Sequence, residues 1–210
     1  MWSRHPGRLP LPHVRTAFAA EPGSDGGSRG RVAAGARRGD DECMTSIRMA
    51  YSLWPTYNAR LAEIVGRLGP EDVRLVPEVG RWPLWATVGH LACQRVFAFC
   101  DIAGEAGRET TPFPNAAYNC PGDDDLENVL EAGALVHALE ATFAIIDRVL
   151  DSWPLTSLDE VILRTWDTGE SRSSSRAALL QRSFAHDLSH IAEVNETLGR
   201  FGLGQVNLWD

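Results

Sequence analysis

The sequence predicts an all-α protein, a four-helix bundle with long crossover connections. Apolar residues recur at intervals of three and four in four segments of about 20 residues each, which is the spacing of one helix face. Pro and Gly residues separate these segments, and neither a repeat nor a sustained heptad links them. The chain of 210 residues, 44% of them hydrophobic, is long enough to bury a single core.

The first helix is predicted to begin near Thr45 and to end at the Gly69-Pro70 pair. Pro55 lies inside this segment, and a proline in a helix interior removes a backbone donor. We therefore expect a kink at that point or a late start of the regular helix. The apolar positions that define the segment are Ile47, Tyr51, Trp54, Tyr57, Leu61, Ile64, Val65 and Leu68.

The second helix is predicted to open at "RWPLW", where Pro83 suits the first helical position. It continues to about Ile102, and Gly104 ends it. The segment is apolar nearly all round, so a polar side chain on it stands out. Its main polar stripe, within about 60° on a helical wheel, comprises Thr87, His90, Gln94 and Asp101.

The third helix is predicted to follow a long loop over residues 105–122, which contain three prolines. The acidic run at 123–125 favours a helix N-terminus, because carboxylates meet the positive end of the helix dipole there. This helix extends to about Leu150, and Trp153-Pro154 closes it.

A fourth helix completes the bundle. The stretch "LDEVILRTWD" before it combines β-branched residues with partial alternation, which predicts a short extended piece or a hairpin. The serines at 173–175 supply N-cap candidates for a helix from about Arg176 to Gly199. The core face of this helix comprises Leu180, Phe184, Ile191, Val194 and Leu198.

Residues 1–43 contain seven glycines and four prolines without a helical or strand period, which is the composition of a disordered segment. We expect Met44 to be the natural start, with the preceding residues an over-long gene model or an unstructured extension. A functional basic arm is the alternative, although its seven arginines are diluted by five acidic residues. Residues 44–210 then form the single folded domain.

The overall composition excludes several classes of protein. A net charge of -8 argues against a nucleic-acid partner, which calls for a basic face. No apolar run approaches the roughly 18 residues of a membrane-spanning helix, so we expect a cytoplasmic protein with no membrane partner. Four cysteines without a CxxC pair favour reduced, buried thiols over a disulfide scaffold.

All twenty basic residues are arginine, which suggests a GC-rich gene from a high-GC bacterium.

His186 and His190 lie one helical turn apart, at the shoulder of the core face of the fourth helix. Two imidazoles at this spacing can chelate one ion, although an HxxxH pair also arises by chance on helix surfaces. A zinc-protease HExxH motif has a glutamate base in its second position. Here that position holds Asp187, whose side chain is too short for the role, and the protease interpretation fails.

His90, in the polar stripe of the second helix, is a candidate third ligand. Imidazole ligands suit zinc, nickel, copper and iron alike, and three protein ligands plus water is the open arrangement of catalytic sites. Gln94 and Glu193 are candidate accessory residues. Glu193 could serve as a fourth ligand or an acid/base group, or it could simply be solvated. The sequence assigns no catalytic residue.

Three other polar residues have simpler interpretations. Cys93 lies one turn from His90 but in an apolar setting, so we expect a buried thiol. His137 is expected to be structural or solvated. Arg95 falls on the apolar side of the second helix, where it could extend toward solvent, pair with an acid or mark a subunit contact.

The segments "WPLWATVGHLACQRVF" and "HDLSHIAEVNETLGRFGL" together resemble the DinB/YfiT-like superfamily. Its members are four-helix bundles in which a histidine of the second helix and an HxxxH motif of the last helix hold a divalent metal. The matching positions are His90, His186 and His190. The resemblance covers about residues 45–210, and the closing "GRFGLGQVNLWD" looks like the tail of actinobacterial members.

The resemblance implies a class of activity. Characterised relatives include thiol-dependent S-transferases and the mycothiol-dependent maleylpyruvate isomerase. It therefore implies a divalent ion, zinc or nickel before iron or copper, that activates mycothiol or a similar small thiol, or water, against a small electrophilic substrate. The alternative is a non-catalytic metal-binding bundle acting in stress response or as an interaction module. The resemblance also implies a homodimer.

Overall fold

Four main helices and a small β-hairpin make up the protein in a computed structural model that describes residues 47–209. The predicted four-helix architecture is therefore confirmed. The expected disordered segment 1–43, the Met44 start and Cys43 lie outside the described residues. The elements, in chain order, are α1 (Ile47–Ala50), α2 (Trp54–Val65), α3 (Leu84–Val96), α4 (Ala132–Ser152), β1 (Val161–Thr165), β2 (Ser171–Ser175) and α5 (Arg176–Arg200).

Short helical turns fill the connections between these elements. Single 3₁₀ turns occur at Asp72–Arg74, Arg108–Thr110 and Leu155–Ser157. A π-helical turn, Phe97–Ile102, extends α3 to the residue at which the sequence predicted the second helix to end. None of the helices in the described part of the chain is long and apolar enough to cross a membrane.

The first helix starts late, which is one of the two outcomes expected from Pro55. The short α1 ends at Ala50, a turn follows, and α2 begins at Trp54 with Pro55 in its first turn. Proline is tolerated there because the first helical N–H groups have no partner within the helix. The proline thus sets where the regular helix begins.

The predicted start of the third helix is wrong. The acidic run at 123–125 forms a turn, and α4 begins only at Ala132. Asp124 accepts the backbone N–H of Cys120 at 2.9 Å, and Asp125 accepts those of Glu127 and Asn128 at 2.9 and 3.0 Å. Short carboxylates commonly bond nearby backbone in this way, and here that local bonding prevails over the helix-dipole preference.

The hairpin and the last helix agree with the sequence expectation. Strands β1 and β2 pair antiparallel with Val161 opposite Ser175. The Ser175 hydroxyl also accepts the backbone N–H of Ala178 at 3.2 Å, which caps the N-terminus of α5. One serine therefore ends the hairpin and starts the helix.

Helix α3 is the centre of the bundle and packs against both α4 and α5, while α2 packs against α4. Every residue of α3 except Gln94 is buried. Its apolar composition is thus explained by burial within one chain and gives no separate support to the expected homodimer, which stays a prediction. Arg95, the charged residue on this helix, pairs with Asp187 of α5, which is one of the three outcomes the sequence left open.

Candidate metal centre

The packing of α3 against α5 brings His90 together with His186 and His190. The Nε2 atom of His186 lies 3.3 Å from that of His90 and 3.1 Å from that of His190. One ligand atom from each of the three rings lies within 4.8 Å of the others. This cluster could bind a metal ion.

Helix geometry accounts for the arrangement. His186 and His190 are four residues apart on α5, so their rings project from one face, with centroids 4.4 Å apart. His90 meets them from the neighbouring helix, with its ring centroid 5.2 Å from His186 and 5.0 Å from His190. His90 is buried, whereas the two histidines of α5 are half-buried, so the α5 side of the cluster is the more exposed one.

The second nitrogen of two rings is held by an acceptor. Nδ1 of His90 lies 3.2 Å from the carbonyl oxygen of Pro121, with the Asp123 carboxylate at 3.6 Å from the same nitrogen. Nδ1 of His190 lies 2.8 Å from Glu193 Oε2. Carbonyl and carboxylate oxygens only accept, so each Nδ1 must carry the hydrogen, and each Nε2 then presents a lone pair to the cluster.

The donor set therefore fits a divalent cation. Two lone pairs, from His90 and His190, converge on His186 Nε2, and a cation among the three nitrogens would accept one lone pair from each ring. Burial, and then coulombic interactions with His190, His90 and Arg95, lower the pKa of His186 to about 2. His186 is consequently neutral near pH 7, the form in which imidazole binds metals.

The two accessory candidates occupy different positions. Glu193 contacts Nδ1 of His190, not the Nε2 side that faces the cluster, and its other oxygen lies 3.5 Å from Arg81 Nη2. Gln94 directs its amide Nε2 toward Cys120 Sγ, at 3.9 Å. Glu193 is thus placed to orient a ligand, and the roles of both residues stay predictions.

A loop and an indole that the sequence did not single out form one wall of the cluster. The ring centroid of Trp82 lies 4.8 Å from that of His90 and 6.3 Å from that of His190. Gly122, at φ 83°, lets the loop approach, because a Cβ there would lie 2.8 Å from the Trp82 ring. Pro121 and Gly122 lie at the end of the long loop predicted over residues 105–122. The Pro121 carbonyl that contacts His90 is a backbone group, so no side-chain type signals this contact.

The remaining candidates lie apart from the Nε2 side of the cluster. Cys93 is buried with its sulfur 3.9 Å from the Ala116 carbonyl oxygen. Cys120 Sγ lies 3.7 Å from Nδ1 of His90, and a hydrogen bond with Cys93, together with burial, raises the pKa of the Cys120 thiol. His137 is exposed on α4, in keeping with a solvated side chain.

Comparison with known proteins identifies a matching protein family and a solved structure with a similar fold. A protein-family model described as the DinB superfamily matches residues 56–194, a span that contains all three histidines. The crystal structure of a DinB-like protein from Bacillus cereus ATCC 10987 has a TM-score of 0.56 at 13% identity, covering 78% of this chain and 98% of that one. That similarity shows a shared fold. No curated protein matches the chain significantly.

Proposed function

The chain belongs to the DinB superfamily, and on that basis we propose that His90, His186 and His190 hold a divalent ion in an enzyme that activates a small thiol, or water, against a small electrophile. The convergence of the three rings, with one ligand atom from each within 4.8 Å of the others, carries this proposal. Imidazole-only ligation suits zinc, nickel, iron and copper alike, and the preference for zinc or nickel rests on the family resemblance.

The number of ligands favours catalysis over a structural role. Structural zinc sites are closed by four protein ligands, whereas catalytic sites use three and keep a position for water or substrate. The described cluster supplies three histidines, one of which, His190, keeps 13% of its side chain exposed. When bound, a divalent ion supplies Lewis-acid stabilisation of a thiol or water anion near neutral pH.

The residues around the histidines prepare the rings for this role. The Pro121 carbonyl and the Glu193 carboxylate hold the Nδ1 protons of His90 and His190, so both rings keep Nε2 bare. The Trp82 indole packs against these two rings. Such partners fix ring orientation and raise the basicity of the nitrogen that binds.

The choice of thiol over water rests on the family resemblance. The arginine-only basic residues favour a high-GC host, and in an actinobacterium mycothiol would be the natural thiol. The substrate is then a small molecule with an electrophilic centre.

The metal content of three purified proteins tests the proposal. Wild-type protein should carry about one divalent ion per chain, and His190→Ala should lose it. His137→Ala is the matched control, because His137 is exposed on α4 and outside the cluster. A wild-type protein without stoichiometric ion, or a His190→Ala protein that retains it, would refute the proposed metal site.

Turnover is tested on the metal-loaded protein with mycothiol, with a second small thiol and without thiol, each against a panel of electrophiles. Thiol-dependent consumption of an electrophile by wild type but not by His190→Ala is the expected result. Consumption without thiol would indicate a hydrolase. A fully loaded protein that consumes none of the panel would support the non-catalytic binding bundle instead.

A further inference from the structure

A buried ion pair joins α3 to α5 beside the histidine cluster. Arg95 donates from Nε and Nη2 to Asp187 Oδ2, at 3.0 and 2.7 Å. Both residues are 1% exposed. Arg95 lies five residues beyond His90 on α3, about 7.5 Å along the axis, and Asp187 follows His186 directly on α5.

The same two side chains also contact the other two main helices. The Trp54 indole of α2 donates to Asp187 Oδ2 at 2.6 Å. Nη1 of Arg95 donates to Asn58 Oδ1 of α2 at 2.8 Å and to the Leu139 carbonyl of α4 at 3.2 Å. One guanidinium and one carboxylate therefore connect all four main helices at a single level of the bundle.

Stability alone does not account for this pair. Removing two charges from water costs about as much as their attraction returns, and apolar replacements of such pairs are often neutral or stabilising. The pair is also incompletely satisfied, since Asp187 Oδ1 is buried and has no hydrogen-bond partner among residues 47–209. An apolar interface would hold these helices together without that cost.

Geometric specificity is what the ion pair adds. A two-nitrogen contact to one carboxylate is directional and is lost when either helix slides or rotates, whereas apolar side chains tolerate such shifts. The contact between His90 and His186, with 3.3 Å between their Nε2 atoms, lies on the same pair of helices and needs that register. Setting register is the best-attested use of buried polar groups in helical assemblies.

We infer that Arg95 and Asp187 are positioning residues that fix the register of α5 against α3, so that His186 and His190 face His90. The inference rests on the proposed function where it concerns metal affinity. Neither side chain belongs to the histidine cluster that would hold the ion. The pair acts through the backbone of the two helices that carry the ligands.

Zinc affinity, measured by competition with a chromogenic chelator, tests this role in the full chain. The variant Arg95→Met/Asp187→Leu removes both charges together and leaves none unpaired. It should keep the wild-type helical circular dichroism spectrum and bind zinc at least tenfold more weakly. A zinc Kd within twofold of wild type would overturn the inference.

Two further variants separate register from stability and folding. Leu180→Ala truncates a buried α5 side chain outside the ion pair, so it should lower the unfolding midpoint while leaving the zinc Kd within twofold. Arg95→Lys keeps the positive charge but removes the planar guanidinium that contacts Asp187 through two nitrogens. If the double variant does not fold, Arg95→Lys decides: weaker zinc binding supports the inference and unchanged binding overturns it.

A wild-type protein that binds no zinc would refute the proposed function without deciding the inference. Crystal structures of the metal-free proteins then decide it. The double variant should show His186 displaced from His90, and an unchanged separation of their Nε2 atoms would overturn the inference.

Discussion

His190 donates its Nδ1 proton to Glu193, less than one turn further along α5, across 2.8 Å. This contact leaves the lone pair of His190 Nε2 directed at His186, 3.1 Å away. His90 has the equivalent support from the Pro121 carbonyl at 3.2 Å. Two of the three rings are thus held in the tautomer that binds a metal.

Removal of the Glu193 carboxylate should weaken zinc binding. Partners of ligating histidines typically contribute about 10–100-fold to metal affinity, and we expect the lower end because the Glu193 side chain is 33% exposed. Glu193→Ala should therefore raise the zinc Kd about tenfold, and Glu193→Gln, which keeps an acceptor oxygen, should raise it less. Glu196→Ala, on the same helix and paired with Arg200, is the control. Equal Kd values for all the proteins would refute the orienting role.

Acid should destabilise the metal-free protein through His186. Its pKa is lowered from 6.5 to about 2 by burial first and by neighbouring charges second. Below pH 6.5 the unfolded chain takes up a proton at this ring that the folded chain refuses, so the free energy of unfolding falls as the pH falls. The loss of unfolding free energy approaches about 1.4 kcal/mol for each pH unit below that value. Above pH 6.5 His186 contributes no pH dependence, because the ring is neutral in both the folded and the unfolded chain.

Urea unfolding of the metal-free wild type and of His186→Gln, at pH 7.5, 6.0 and 5.0, measures this effect. Other titrating groups contribute to the pH dependence of both proteins. The difference between the two slopes of unfolding free energy against pH therefore isolates the contribution of His186. Wild type should lose more stability than the variant between pH 6.0 and 5.0. Parallel slopes would contradict a depressed His186 pKa.

Gly122→Ala should displace the loop that supports His90. At φ 83° an alanine costs about 1–2 kcal/mol, and its Cβ would also lie 2.8 Å from the Trp82 ring. Gly169→Ala is the matched control, because Gly169 has φ 82° with nothing within 4 Å of the added Cβ among the described residues. Both variants should lower the free energy of unfolding, and Gly122→Ala alone should weaken zinc binding. Equal effects would show that the close approach to Trp82 is unimportant.

The cap of α5 should be worth a measurable share of the stability. Ser175→Ala removes the hydroxyl that accepts the Ala178 N–H and should lower the free energy of unfolding by about 1 kcal/mol. Ser173→Ala, exposed on the same strand, should change it little. Chemical denaturation of the two variants compares them directly, and equal losses would argue against the cap.

Local sequence patterns predicted the helices and the positions of the histidines on them. Spacing places His186 and His190 on one face of α5, and the apolar surroundings of His90 mark it as an unusual polar residue in α3. No local pattern shows that the two faces meet, because the packing of α3 on α5 decides that. The resemblance to the DinB/YfiT-like superfamily is what predicts that His90 meets His186 and His190.

Three features are not predicted by the sequence, and the physical reasons differ. The acidic run at 123–125 had two local options, a helix dipole and backbone turns, and the turns prevailed. Arg95 and Asp187 are separated by 92 residues, and nothing near either one identifies its partner. The support of His90 by the Pro121 carbonyl is a backbone contact, so no side-chain type signals it.

Anomalous diffraction from crystals of the zinc-loaded protein tests the three-histidine site most directly. One peak should lie about 2.0–2.1 Å from Nε2 of each of His90, His186 and His190. A peak bound by fewer than these three rings, a peak on other residues alone, or no peak in protein soaked with zinc, would contradict the site.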